Sequence, residues 1–336
     1  MRRIFFIIAS VIVSVGVLAL AVGDVPLDGV GERISSANPL WLAMLAIIIV
    51  LGLWARGMRW QALLGWKLTF AQSFHSSNIM FMLNFLPLRL GEVARAALAT
   101  RYGVPFVSAA TGVLVERLID TVLVVVVLSF SLAQVPEAPQ LATTSATLFG
   151  AGALVAFIAL LVLARFPQAA ERLLDGIERI LPPVRRLPLR RILRDILLGL
   201  KPLTHPRGAA AVLGWTLIAW VFSFSGYYAL QRAFDLPPIN LWLNSLLSIC
   251  LIALSIAIPT TIAQVGPFQG AARIGGEANG LNAADALSLG ILYHVMTFIV
   301  YSALGVIGLL VLGVSLSDVT GKSGTKAGSP APDAAG

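Results

Sequence analysis

Apolar residues in this chain come in long runs rather than at helical spacing. Long runs cover residues 39–64, 106–133, 144–164, 208–230 and 286–313, and another, 4–22, follows Arg2 and Arg3. About 18 apolar residues suffice to cross a hydrocarbon core of roughly 30 Å, so each run predicts a membrane-spanning helix. Ala19-Leu20-Ala21 resembles a signal-cleavage site, but the run before it is longer than the ~7–15 residues of a secretory apolar core, so it is read as an anchor helix. Residues 70–100 and 241–277 are also apolar but interrupted, the first at Pro87 and Gly91, the second at Pro259 and Gly266. They predict hairpins that enter and leave on one side. The expected fold is an all-α integral membrane protein with six transmembrane helices plus two re-entrant helical hairpins.

Composition removes the main rival. The 336 residues are 58% hydrophobic and 12% charged, against about 25% charged in ordinary globular domains. A large water-soluble helical enzyme would lack the polar residues to cover its surface. The net charge of +8 then belongs to loops rather than to a nucleic-acid footprint, and it orients the chain. Arg2, Arg3, Arg56, Arg59, Lys67, Arg95, Arg101, the basic residues of 165–207, Lys322 and Lys326 fall on one side. Only Arg33, Arg232 and Arg273 fall on the other, while Arg89 and Arg117 lie within spans. This places both termini in the cytoplasm of a multi-pass protein of the cell (inner or plasma) membrane.

The domain reading follows. Residues 1–314 form one membrane domain, with a first repeat over 38–133 and a second over 208–313. Residues 165–207 form a basic cytoplasmic loop. Leu173, Leu174 and Ile177 make one apolar face there, and Ile192, Leu193, Ile196 and Leu197 another, opposed by Arg190, Arg191 and Arg194. Such helices lie in the headgroup layer. Residues 315–336, rich in Gly, Ser, Ala and Pro, are expected to be a disordered cytoplasmic tail. A single cysteine, Cys250, excludes intrachain disulfides. His75, His205 and His294 are scattered without metal-ligand spacing, and no cofactor is expected.

The two broken stretches match one another. Gly103 precedes Arg117 by fourteen residues, and Gly280 precedes His294 by the same number. Each broken stretch lies between two full spans, and an odd number of crossings separates corresponding parts, so the halves are expected to be inverted. Paired Gly/Pro-interrupted segments in inverted halves point to a transporter's midplane site.

Charges inside the membrane mark candidate chemistry. Arg89 and Glu92 lie at the first break, and Glu116, Arg117 and Asp120 lie within the next span. With the helix starting near Phe106, Arg117 is about 17 Å deep at 1.5 Å per residue. Each such charge costs at least roughly 2.5–3.5 kcal/mol on insertion scales. Spacings of three and four put all three on one face, which must look into the bundle or a water-filled cavity. Either they form a structural ion-pair network, or Arg89 and Arg117 receive an anionic group while Glu92, Glu116 and Asp120 balance them. Backbone N–H groups near Gly91 and Gly266 could add donors.

The pattern Asn84-x-x-Pro87-x-x-x-Gly91-Glu92, then Gly103, then Glu116-Arg117-x-x-Asp120, resembles the lysylphosphatidylglycerol synthase transmembrane, or flippase-like, family. The second half, from Pro259 through Gly266 to His294, is similar to that family's second motif. Two positions depart from it: Gln269 stands where a Glu is usual, and His294 where an Arg is usual. The resemblance implies the membrane part without the family's soluble aminoacyl-transferase domain. It also implies a substrate-binding set of Asn84, Pro87, Arg89, Gly91, Glu92, Glu116, Arg117, Asp120, Gly266, Gln269 and His294.

The leading expectation is lipid translocation, of an anionic or modified phospholipid, a glycolipid or a polyprenyl-phosphate-linked lipid. Membrane lipids and lipid-synthesis enzymes are the expected partners, and nucleic acid is not. An intramembrane enzyme acting on headgroups, with Glu92 and Glu116 as acid and base, and an accessory subunit of envelope synthesis remain alternatives. No catalytic nucleophile set or Gly-x-x-x-x-Gly-Lys-Ser/Thr loop occurs, so an enzyme is not expected.

Overall fold

The computed structural model describes residues 15–23, 25, 27–86, 90–135, 140–180, 189–256 and 262–315. Among them the structure is all-helical, with no strand. Residues 15–22 form α1, followed by α2 (Leu27–Ser35), α3 (Pro39–Leu63), α4 (Phe70–Leu83), α5 (Leu90–Thr100), α6 (Phe106–Leu132) and α7 (Gln140–Arg165). Then come α8 (Pro167–Ile180), α9 (Leu189–Leu200), α10 (Pro206–Gln231), α11 (Leu241–Ser255), α12 (Pro267–Ala278) and α13 (Ala283–Leu312). Helices occupy the five runs from 39 to 313 and the two halves of each broken stretch, within a few residues of the expected ends. The beginning of the anchor run and most of the tail lie outside the described residues.

Local chemistry sets these boundaries. Pro39 opens α3 where its missing N–H costs nothing, and the Asn38 side chain accepts from Leu40 N. Thr69 and Gln72 cap the start of α4 reciprocally. Asn240 and Asn282 do the same work at α11 and α13, each accepting a backbone N–H of the first turn. Gly313, left-handed at φ 60°, ends α13.

By length and composition, α3, α10 and α13 can each cross a membrane. The chain is a membrane protein. The 27-residue α6 is long enough, but Glu116, Arg117 and Asp120 interrupt its apolar sequence. Elements of the second half match those of the first: 25 and 26 residues for α3 and α10, 14 and 15 for α4 and α11, 11 and 12 for α5 and α12, 27 and 30 for α6 and α13. Packing is reciprocal as well. Helix α3 lies along α10, α4 packs on α13, and α11 packs on α6.

Small residues bring these helices together, as usual between membrane helices. A Cβ on Gly305 of α13 would run into the Met82 side chain of α4, and one on Gly91 of α5 into the Met80 carbonyl of α4. The main core mixes both halves: Leu45, Tyr227, Leu230, Ile249, Phe268 and Leu289 are buried in one cluster. A second cluster joins Trp60 of α3 and Val113 of α6 to Leu200 at the end of α9.

The cations assigned to the sparse side gather at one end. Arg33 pairs with Asp285 at 2.8 Å and donates to the Asp235 carbonyl, Arg273 donates to the Ala21 carbonyl, and Arg232 lies over Trp41. The described residues of the basic loop are mainly helical. Its helices α8 and α9 are both amphipathic, and the chain bends by 116° between α7 and α8.

Candidate functional site

Glu116, Arg117 and Asp120 stand in α6, ten residues and more past its start. The carboxylates take partners that the sequence did not suggest. Arg59, in the last turns of α3, donates from Nη1 and Nη2 to the two oxygens of Asp120 at 2.6 and 3.1 Å. The same guanidinium reaches Glu116 Oε1 at 2.8 Å. The other Glu116 oxygen accepts from Arg95 Nη2 of α5 at 3.0 Å. The Trp220 indole of α10 donates to Asp120 at 2.9 Å, and the Arg95 guanidinium covers the Trp60 ring at 4.0 Å. Arg59, Arg95 and Glu116 are no more than 2% exposed. Two guanidiniums and two carboxylates thus neutralise one another within the core, which is how buried charge is tolerated.

This corrects the charge tally, which counts Arg56, Arg59 and Arg95 among cytoplasmic loop residues. Arg59 and Arg95 are buried inside helices, and Arg56 is half-buried in α3. A signal was present: Arg56 and Arg59 interrupt the apolar run 39–64, as Glu116 and Asp120 interrupt the next.

Arg117 turns the other way, to Glu92 in the first turn of α5, at 2.9 Å. This pair is wetter, at 36% and 22% exposed. The two-faced arrangement follows from helix geometry, since neighbours on a helix diverge by about 100°. Pro87 and Arg89 lie outside the described residues.

A cavity of about 210 Å³ lies over these groups. Its polar wall includes Arg56, Asn84, Glu116, Arg117 and Asp120, and its aromatic wall includes Phe81, Phe85, Phe268 and Tyr301. Arg56 donates to the Ser223 hydroxyl at 2.9 Å and stands 5.7 Å over Phe81. Among the described residues no carboxylate pairs with it. The cavity therefore holds a cation in excess of its acids.

The second break meets the first here. Ala263 N–H donates to the Phe85 carbonyl at 3.0 Å, so one backbone hydrogen bond joins the two interruptions. Ala263 and Gln264 sit at φ 51° and 62°, a left-handed conformation that residues with a Cβ adopt only at a cost. Gln264 and Phe268 line the cavity. Gly266, Gln269 and His294 do not line it; they form a set behind Phe268, whose ring stacks on His294 at 4.4 Å. Gln269 Oε1 accepts the Gly266 N–H at 2.8 Å, leaving its amide NH2 to face His294 Nδ1 at 2.9 Å. Nδ1 then accepts, and Nε2 carries the proton. The Gly266 N–H, expected as a ligand donor, is already used.

Gly103 and Gly280, at φ 79° and 90°, close the broken segments in the same conformation. Counted from them, Glu92 corresponds to Gln269, Glu116 to Tyr293, Arg117 to His294 and Asp120 to Thr297. One half carries charge at these places and the other carries neutral hydrogen-bonding groups.

Broken helices enclosing a charged cavity, within a bundle that includes membrane-length helices, define a polytopic α-helical membrane protein with a polar site among its helices. More particularly, residues 7–305 match the family described as the lysylphosphatidylglycerol synthase TM region, and the chain belongs to that family. No curated protein and no solved structure matches the chain in the other two comparisons.

Proposed function

We propose that this protein moves an anionic or phosphate-linked lipid between leaflets, its headgroup passing through the cavity between the two breaks. Membership of a lipid-related membrane family supports a role in lipid or envelope metabolism. The observation that carries the finer reading is the cation balance of the cavity. Glu116 and Asp120 are spent on Arg59 and Arg95, Arg117 is paired with Glu92 at an exposed edge, and Arg56 has a hydroxyl and an aromatic face but, among the described residues, no carboxylate. Arg56 and Arg117 are thus the groups that offer an anion new charge-assisted hydrogen bonds. The buried tetrad is the frame that holds α3, α5 and α6 in register. The aromatic wall suits the glycerol or sugar part beside a phosphate.

In this reading six helices cross the membrane, α4–α5 and α11–α12 are re-entrant hairpins, and the halves are inverted. Matched lengths and reciprocal packing support that arrangement. The α8–α9 side and both termini face the cytoplasm of the cell membrane. No step requires bond chemistry, so the protein acts as a carrier and not as an enzyme. Enzymes that make the lipid are its natural neighbours.

The test is a liposome assay following labelled phosphatidylglycerol and a labelled glycolipid between leaflets. Arg56→Gln and Arg117→Ala should slow transfer at least about tenfold, the value of one lost charge-assisted hydrogen bond, while Glu92→Gln should change it in the other direction or leave it unchanged. If wild type moves neither lipid, or both arginine variants match it, the transport reading fails. Headgroup modification without transfer would point to an enzyme instead.

A further inference from the structure

A second cavity, of about 490 Å³, lies away from the central site, where the end of α7 meets α8, α9 and the 3-10 turn Lys201–Thr204. Its polar rim holds Arg165, Arg194, Lys201 and His205, with Glu171 as an acid. Arg190 also reaches it but is spent. It donates to Asp175 at 2.6 Å and to both Glu178 oxygens at 2.8 and 3.2 Å, which pins α9 to α8. Arg194, one turn further along α9, and Lys201 have no ion-pair partner among the described residues. The floor is apolar, built from Leu174, Leu193 and Leu197.

Cations above and leucines below match one chemistry, a phosphate that carries an acyl chain. The cavity also sits at the end of a membrane-length helix, where headgroups are found. We propose that it is a binding site for the phosphate of an anionic phospholipid, with Arg194 and Lys201 as its ligands and the leucines against the first part of the chain. The site is independent of the central cavity but mechanically tied to it. Leu200, the last residue of α9, is fully buried in the cluster that holds Trp60 and Val113, and α9 packs on α6, the helix of Glu116, Arg117 and Asp120. A lipid seated there steadies the frame of the central site.

The experiment measures lipid retained by the full-length protein in neutral detergent, by native mass spectrometry, during titration with phosphatidylglycerol, phosphatidylcholine or inorganic phosphate. Wild type should keep one phosphatidylglycerol more than the Arg194→Gln/Lys201→Gln variant, whose affinity at this site should fall about tenfold or more, since each interfacial cation adds roughly fivefold. Arg172→Gln, on the same helix pair but outside the cavity, should bind as wild type does. Glu171→Gln removes the rim's acid and should tighten binding, which keeps the test decisive even if the double variant does not fold. Equal retention of phosphatidylcholine, unchanged binding by the double variant, or weaker binding by Glu171→Gln would overturn the assignment. Displacement of the lipid by millimolar inorganic phosphate would assign the cations to a soluble anion and overturn the lipid site.

Discussion

Replacing Glu116 by glutamine keeps its shape and removes its charge. The consequence falls unevenly on its two partners. Arg59 retains the two-point contact with Asp120 at 2.6 and 3.1 Å. Arg95, 0% exposed, loses its one carboxylate partner among the described residues and keeps the face of Trp60 at 4.0 Å. Breaking a buried pair costs about 3–5 kcal/mol, and the cation–π contact with Trp60, present before and after the change, does not offset it. The expected loss is about 3–5 kcal/mol, which for a chain of 336 residues lowers Tm by roughly 4–7 °C. Thermal unfolding in detergent, followed by tryptophan fluorescence, reads the change directly because Trp60 and Trp220 touch the cluster. Adding Arg95→Met should restore most of the loss, since the stranded charge leaves with it. A drop under about 2 °C, or no rescue in the double variant, would refute the view that the tetrad is a closed structural lock.

Other outcomes follow from the breaks. Gly103→Ala and Gly280→Ala have open space around the new Cβ, so each should lose only the left-handed penalty of about 1–2 kcal/mol, and by similar amounts, in the same unfolding assay. Ala263→Pro removes the N–H that reaches Phe85 and cannot adopt φ 51°; it should abolish lipid transfer, while Ala263→Gly relieves strain and should raise Tm slightly. Gln269→Leu strands the Gly266 N–H and His294 Nδ1, and should cost about 1–3 kcal/mol, with faster hydrogen exchange at the start of α12.

Element ends were largely legible because the signals are local. Pro39, Thr69, Asn240 and Asn282 announce helix starts within a residue or two of where they occur. The matching of Gly103 to Gly280 was also visible as a repeated spacing. The pairing of charges was not. Arg59 and Asp120 are 61 residues apart, and nothing near either announces the other. An arginine in the last turns of a span reads as a loop marker under the positive-inside rule, whether it faces water or a carboxylate. The position of Gln269 behind Phe268 rather than in the cavity wall was hidden for a related reason. Like its counterpart Glu92, Gln269 reaches the neighbouring helix, at His294, but its amide oxygen also turns back to cap its own helix at Gly266, which a charge-matching rule does not foresee.

The unequal halves carry a thermodynamic consequence. If two inverted repeats were chemically identical, exchanging their conformations would turn an inward-open state into an outward-open one of the same free energy. Here Glu92, Glu116, Arg117 and Asp120 correspond by spacing to Gln269, Tyr293, His294 and Thr297. A conformational swap would ask uncharged side chains to do the work of ion pairs, so the two states cannot be degenerate. If the proposed transport cycle holds, the resting molecule leans to one side of the membrane before any substrate or gradient acts on it.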